Sequence, residues 1–293
     1  MKGAMILGNE TIVQNLKGLY KNSRLGHGYI FCGPSMVGKR TVAQAFGKFL
    51  EKGEFALPAE GEVLQDFMMI DRAYMRVHYP DARGPALGID AARDAKSFLW
   101  QRPNASPRRM LVVDDADLLT GEAQNALLKI TEEPPSSSLL VLVTADPDAL
   151  LSTIRSRLPQ IYFGTIPSAA ISAWLTREHD ALSPQKADAY AGKALGKPGL
   201  AWRLAHDAAF RADLDRAEEF LAIAPAGRKE FLKTLIEPDE FSMTAFLDGL
   251  MTVLAWREPS KGKTALWHKT LRLAENARAH PLNARLQLEA LMR

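Results

Sequence analysis

The chain has 293 residues, 47% hydrophobic and 24% charged, with a formal net charge of +3. That is the composition of two or three folded domains, and it excludes both wholesale disorder and a histone-like basic tail. The single cysteine, Cys32, excludes an intramolecular disulfide and any four-cysteine metal site. No apolar run reaches the roughly 20 residues that a membrane-spanning helix requires. The N-terminus turns polar at Asn9-Glu10 and reads as no signal peptide, so a cytoplasmic chain is expected.

The first recognisable element is an apolar strand, Gly28-Tyr29-Ile30-Phe31-Cys32, followed by a glycine-containing loop and helical apolar spacing from Thr41 to Leu50. Residues 51–85 are punctuated by glycine and proline and read as an irregular excursion with one short helix. Met110-Leu111-Val112-Val113 reads as a buried strand ending on Asp114-Asp115. Glu122 to Glu133 reads as a helix stopped by Pro134-Pro135, and Leu139 to Val143 as another continuous apolar strand. Continuous apolar strands alternating with helices predict an α/β fold with a parallel sheet covered on both faces. From Pro167 onward only helical periodicity remains, broken near Gly196–Gly199, Ala224–Gly227 and Pro259–Gly262; amphipathic runs such as Leu286 to Leu291 fall in this last part.

Gly33-Pro34-Ser35-Met36-Val37-Gly38-Lys39 fits a strand–loop–helix phosphate cradle. Gly33 and Gly38 let the backbone wrap a phosphate, amides at the helix start point at it, and Lys39 supplies a point charge. The residue after the lysine is ordinarily Ser or Thr, whose hydroxyl binds Mg²⁺. Here it is Arg40. Thr41 follows, but one residue turns a side chain by about 100° around a helix. Binding of ATP or ADP survives such a change, whereas metal-assisted hydrolysis suffers.

The second signal is the acidic strand end. In an open parallel sheet, ligands sit at the strands' C-terminal ends, which makes Asp114 the natural metal-site acid. Asp115 follows where a longer glutamate would activate water, and the missing methylene weakens a hydrolytic reading. Asp115 and Asp117 also read as caps of the next helix.

The run Asn125-Ala126-Leu127-Leu128-Lys129, the following Glu132-Glu133-Pro134-Pro135 and Thr153-Ile154-Arg155-Ser156-Arg157 together resemble the clamp-loader AAA+ subunits of bacterial DNA polymerase III. Ile6-Leu7-Gly8-Asn9 and Gly26 to Phe31 are similar to that family's segments around the adenine pocket. Gly38-Lys39-Arg40-Thr41 and Gly196-Lys197-Pro198-Gly199 look most like its delta-prime branch.

The resemblance implies a RecA-like AAA+ P-loop domain over 1–165, a small helical lid over 166–206 and an all-helical collar over 207–293. It implies a five-membered ring with gamma/tau and delta subunits that opens a sliding clamp and places it on primed DNA. It makes Arg157 an arginine finger acting in trans on a neighbour's nucleotide. It makes Thr144 a sensor of the terminal phosphate, although Thr144 also reads as the start of a turn before Asp146-Pro147. Many family members carry a four-cysteine zinc module, but residues 51–85 hold no cysteine, so no zinc is expected and His78 reads as a loop residue.

The lid arginine of active subunits has Trp202 at its position, with Arg203 one place late. Three parts needed for hydrolysis in cis are therefore altered, while Arg157 is intact. This asymmetry predicts a subunit that completes another's ATP site without turning over ATP itself. A catalytically active gamma/tau-like ATPase and a different replication-associated AAA+ machine are the competing readings. Arg93, Lys96, Arg102, Arg108 and Arg109 read equally as a DNA-channel lining or a solvated helix face.

Overall fold

A computed structural model describes residues 6–81, 86–179, 181–224, 227–236, 241–256, 261–279 and 288. The chain divides into two compact units, Met1–Ala201 and Trp202–Arg293.

The first unit is built on five parallel strands: β1 Gly28–Cys32, β2 Phe67–Ile70, β3 Arg109–Val113, β4 Ser138–Thr144 and β5 Gln160–Tyr162, in the spatial order β2-β3-β4-β1-β5. Around them run α1 Glu10–Lys21, α2 Lys39–Lys52, α3 Arg72–His78, α4 Ile89–Leu99, α5 Gly121–Glu132, α6 Ser152–Arg155, α7 Ser168–Glu178 and α8 Pro184–Lys193. β1, β3 and β4 are buried throughout, as their continuous apolar runs predict.

Side chains alternate between the faces of a strand, and two cores form accordingly. Tyr29, Phe31, Met110, Val112, Leu139 and Val141 pack with Leu16 of α1 and with Val42 and Phe46 of α2. Ile30, Cys32, Leu111, Val113, Leu140 and Leu142 face the other way, onto Ala92 and Ala95 of α4 and Leu127 and Ile130 of α5. The expected two-sided parallel sheet is thus observed.

The excursion over residues 51–85 is more regular than its glycines and prolines imply. It contains β2 as well as α3, and β2 pairs with β3 along its whole length, Phe67 opposite Met110 and Ile70 opposite Val113. His78 ends α3, where its ring stacks on Tyr74.

α9 Pro198–His206 runs across the division between the units. The second unit continues with α10 Ala208–Ala222, α11 Arg228–Ile236, α12 Met243–Trp256 and α13 Lys261–Ala279. Its core gathers Phe210, Leu214, Phe220, Phe246, Leu250 and Val253, with Phe220 and Phe246 meeting edge to face at 5.8 Å. Gly249 lets α12 approach α10 closely, since a Cβ there would stand 3.1 Å from the Asp213 carbonyl oxygen. The run Leu286 to Leu291 lies outside the described residues apart from Leu288, as do residues 259–260 of the Pro259–Gly262 break. Among the described residues no helix is long and apolar enough to cross a membrane.

Candidate phosphate-binding site

β1 delivers the chain at Cys32 into a loop that turns at Gly33 and Gly38, with φ of +135° and +100°. A Cβ on Gly33 would lie 2.2 Å from the Phe163 carbonyl oxygen, so only glycine fits. Lys39 opens α2 and is buried. Its Nζ donates to the carbonyls of Gly33 at 2.6 Å and Pro34 at 2.7 Å, closing the loop on its own lysine. Burial pushes the Lys39 ammonium below its ordinary pKa, against the attraction of Asp114 and Asp117. Among the described residues, the amides of Ser35, Met36 and Gly38 donate to no carbonyl or side chain.

Two segments singled out in the sequence clamp this loop. Asn9, 4% exposed, donates through Nδ2 to the carbonyls of Val37 at 3.1 Å and Leu7 at 3.2 Å. Gly199 donates its amide to the Met36 carbonyl at 3.0 Å, and a Cβ there would sit 3.0 Å from that of Met36. Gly196 accepts from the Ile166 amide at 2.8 Å with φ at +76°. The glycines of Gly196-Lys197-Pro198-Gly199 are therefore docking residues. Arg203 pairs with Asp207 at 3.5 Å and lies 3.8 Å over the Phe210 ring.

The acidic strand end carries an unexpected contact. Arg40 places one guanidinium nitrogen, Nη1, 2.7 Å from Oδ2 of Asp71 and 2.8 Å from Oδ2 of Asp114. Asp71 follows β2 directly and caps α3, accepting from the Tyr74 amide at 2.8 Å. Burial opposes the Asp71 charge, but the Tyr74 amide and Arg40 outweigh it and hold its carboxyl below the usual range. Burial likewise opposes the charge on Arg40, and its hydrogen bonds to Asp114 and Asp71 outweigh that and raise its pKa.

Asp115 sits in the left-handed region at φ +51° and forms an ion pair with Nε of Arg72 at 3.1 Å. Burial, and then the neighbouring Asp114 charge, push the Asp115 carboxyl upward. Thr144 is buried at the end of β4, level with Cys32 in the register. Its Oγ1 lies 2.9 Å from Oδ1 of Asp117 and accepts from the Asp146 amide at 3.0 Å, so it shapes the turn and reaches the acidic cluster at once. Thr41 is half-buried in the first turn of α2.

The free amides and Lys39 fit the phosphates of a nucleotide, whose charge would replace the two carbonyls that Lys39 now contacts. A divalent cation does not fit. At about 2.1 Å from Oδ2 of Asp114 it would collide with the Arg40 guanidinium, whose Nη1 lies 2.8 Å from that oxygen. Among the described residues no group of three or more His, Cys, Asp or Glu side chains is arranged to hold a metal.

Arg157 lies elsewhere. It precedes β5, at the edge of the sheet where the strands begin, whereas the loop follows the end of β1. Its Nη2 meets Oε1 of Glu132 at 2.9 Å, and Nη1 donates to the Thr153 carbonyl at 2.8 Å. Glu132 ends α5, just before Pro134-Pro135, which ties the two family motifs together. Gln124 of the same helix is buried and clasps the segment leading to α6, donating to the Ala149 carbonyl at 3.1 Å and accepting from the Leu151 amide at 2.7 Å. Arg155 is taken up by Asp148.

Sequence reasoning missed Asp71 and Arg72. The apolar run Phe67-Met68-Met69-Ile70 ahead of Asp71 was the available signal, for it repeats the pattern of β3 and Asp114. The basic cluster also divides. Arg108 donates to the carbonyls of Gly26 at 2.8 Å and Leu25 at 3.0 Å. Arg109 is buried, bonded to the Arg102 carbonyl at 3.0 Å and stacked 4.7 Å over Phe98. Those two arginines hold loops together, while Arg93, Lys96 and Arg102 are exposed.

A family model described as "DNA polymerase III, delta subunit" matches residues 8–167, from the Asn9 clamp through β5. The chain belongs to this family. As a clamp-loader family member, it is similar to the DNA polymerase III subunit delta' of Escherichia coli K12, 35% identical over 147 residues that cover 50% of this chain and 42% of that protein. It is also similar to the gamma/tau subunit of Mycobacterium tuberculosis H37Rv, 30% identical over 189 residues that cover 59% of this chain and 30% of that one. The chain spans less than half the length of these curated relatives.

Among solved structures, a gamma subunit-related protein from Thermotoga maritima aligns with TM-score 0.57 and 20% identity over 94% of this chain and 97% of that one. The RuvB Holliday junction branch migration motor from the same organism aligns with TM-score 0.51 and 14% identity over 97% and 82%. These two likenesses establish the fold: a RecA-like α/β sheet unit followed by a helical part.

Proposed function

We propose that this clamp-loader family member is a delta-prime-like subunit, one that completes a neighbour's ATP site with Arg157 and does not hydrolyse ATP itself. The observation that carries the reading is Arg40, whose guanidinium lies between Asp71 and Asp114 where hydrolysis needs a divalent cation. Asp115 supports it, being turned to Arg72. Arg157 supports it from the opposite end of the strands, because a group where the strands begin serves a neighbour better than its own loop.

In this reading residues 1–165 form the AAA+ domain, 166–206 the lid and 207–293 the collar of a cytoplasmic five-membered ring. Gamma/tau and delta are the other subunits, and the ring loads a sliding clamp onto primed DNA.

The test has two arms. Isolated protein should show negligible ATPase, and Arg157→Ala should slow hydrolysis at the adjoining site of a reconstituted ring by roughly a thousandfold, the scale of an arginine finger. Robust turnover by the isolated chain would favour the gamma/tau-like reading, to which 30% identity over 189 residues lends support.

A further inference from the structure

A P-loop cation has two protein anchors, the hydroxyl after the lysine and the strand-end acid. Here the residue after the lysine is itself a cation, and a single nitrogen of it touches the strand-end acid, Asp114, and a second acid from the adjacent strand end, Asp71. We infer that Arg40 is a built-in replacement for the divalent cation, so that this loop takes a nucleoside diphosphate without metal. The inference deepens the non-hydrolysing reading above and rests on it.

The arrangement is anchored on every side. Asp71 is fixed by the Tyr74 amide, Asp114 follows a buried strand, and Arg40 lies in the first turn of α2 next to Lys39. A guanidinium stays charged at every working pH, so the replacement is permanent.

The choice of a diphosphate follows from charge. A divalent cation brings two positive charges and lets a terminal phosphate approach carboxylates. Arg40 brings one charge, already shared between two acids, and two further acids adjoin Asp114: Asp115, paired with Arg72, and Asp117, which accepts from the Thr144 hydroxyl. A third phosphate would meet uncompensated negative charge there. Two phosphates need only the loop amides and Lys39.

The experiment is calorimetric titration of the full chain with ADP and with ATP, each in EDTA and in Mg²⁺, alongside Mn²⁺ binding followed by electron paramagnetic resonance. ADP should bind with affinities within about threefold in the two buffers, and ATP in EDTA should bind about tenfold more weakly than ADP. Arg40→Ser should gain Mn²⁺ binding and become dependent on Mg²⁺ by about tenfold or more. Tightening of ADP by tenfold or more with Mg²⁺ in the unaltered chain overturns the inference, and so does a failure of ADP to bind in either buffer. The unaltered chain decides the matter by itself should the serine variant not fold. Hydrolysis of ATP by the isolated chain would instead sink the non-hydrolysing reading, a separate measurement from ADP affinity.

Discussion

Asp66 shows how a single buried charge can hold a loop. It is 2% exposed and accepts from the amides of Asn104, Ala105 and Ser106 at 2.6–2.9 Å, with Nε of Arg109 3.7 Å away. Burial works against its charge, but those amides and Arg109 outweigh it and hold its carboxyl below the usual range. Asp66→Asn should cost about 3 kcal/mol at neutral pH, the scale for removing one partner of a buried charged network. A carboxylate with a depressed folded pKa gives stability that is present above its unfolded value, 3.8, and lost as pH falls through the folded one. Denaturant midpoints of the two proteins should therefore differ at pH 7 and converge as the solution is acidified below that value. A gap that stays constant with pH would refute this account. Asp66 was invisible in the sequence because its donors lie 38–40 residues away. Lys39 and Asp114 were legible because each belongs to a short motif joined to its own strand. Arg40 is legible only as a departure from the motif, since its partner Asp71 follows a short edge strand with a weak apolar signal.

The elements that were read correctly, β1, β3, β4, α2 and α5, all present long or branched apolar side chains in continuous or helical patterns. The elements that were missed carry weaker signals for physical reasons. β2 is a four-residue edge strand whose first three side chains are only half-buried. α4 packs through Ala91, Ala92, Ala95 and Leu99, a mostly alanine face with little hydrophobic contrast. The missed strand still constrains the well-read helix beside it. Gly47, inside α2, faces Phe67 of β2, and a Cβ at Gly47 would fall 2.2 Å from its ring. Helix propensity alone favours alanine there by about 1 kcal/mol. Overpacking against a ring held in a sheet costs about 1–3 kcal/mol. The clash should win, so Gly47→Ala should lower the denaturant midpoint. Adding Phe67→Leu, which removes the ring, should recover part of that loss. Equal losses in the single and double variants would show that the ring is not the obstacle.

At the scale of the whole chain, the compact first unit runs from Met1 to Ala201 and includes the helical stretch after Pro167. Two bonds lie in that stretch: the Ile166 amide to the Gly196 carbonyl, and the Gly199 amide to the Met36 carbonyl. The two cores that flank the sheet draw only on residues up to Phe163. The second unit has its own aromatic centre in Phe220 and Phe246. A fragment of residues 1–206 should therefore fold alone. The cut keeps α9 whole and falls just before Asp207, which caps α10 by accepting from the Phe210 amide at 2.9 Å. At about 0.7 kcal/mol per residue, its calorimetric unfolding enthalpy should be roughly 140 kcal/mol near 60 °C, in one transition whose van't Hoff enthalpy agrees. Cutting instead at 165 severs the bonds at Ile166 and Gly199 and frees the clamp on Met36. That shorter fragment should unfold at a lower temperature than expected from its length, because the phosphate loop loses one of its two restraints while Asn9 keeps the other. Identical midpoints for the two fragments would mean that the contact at Met36 contributes nothing to the stability of the sheet unit.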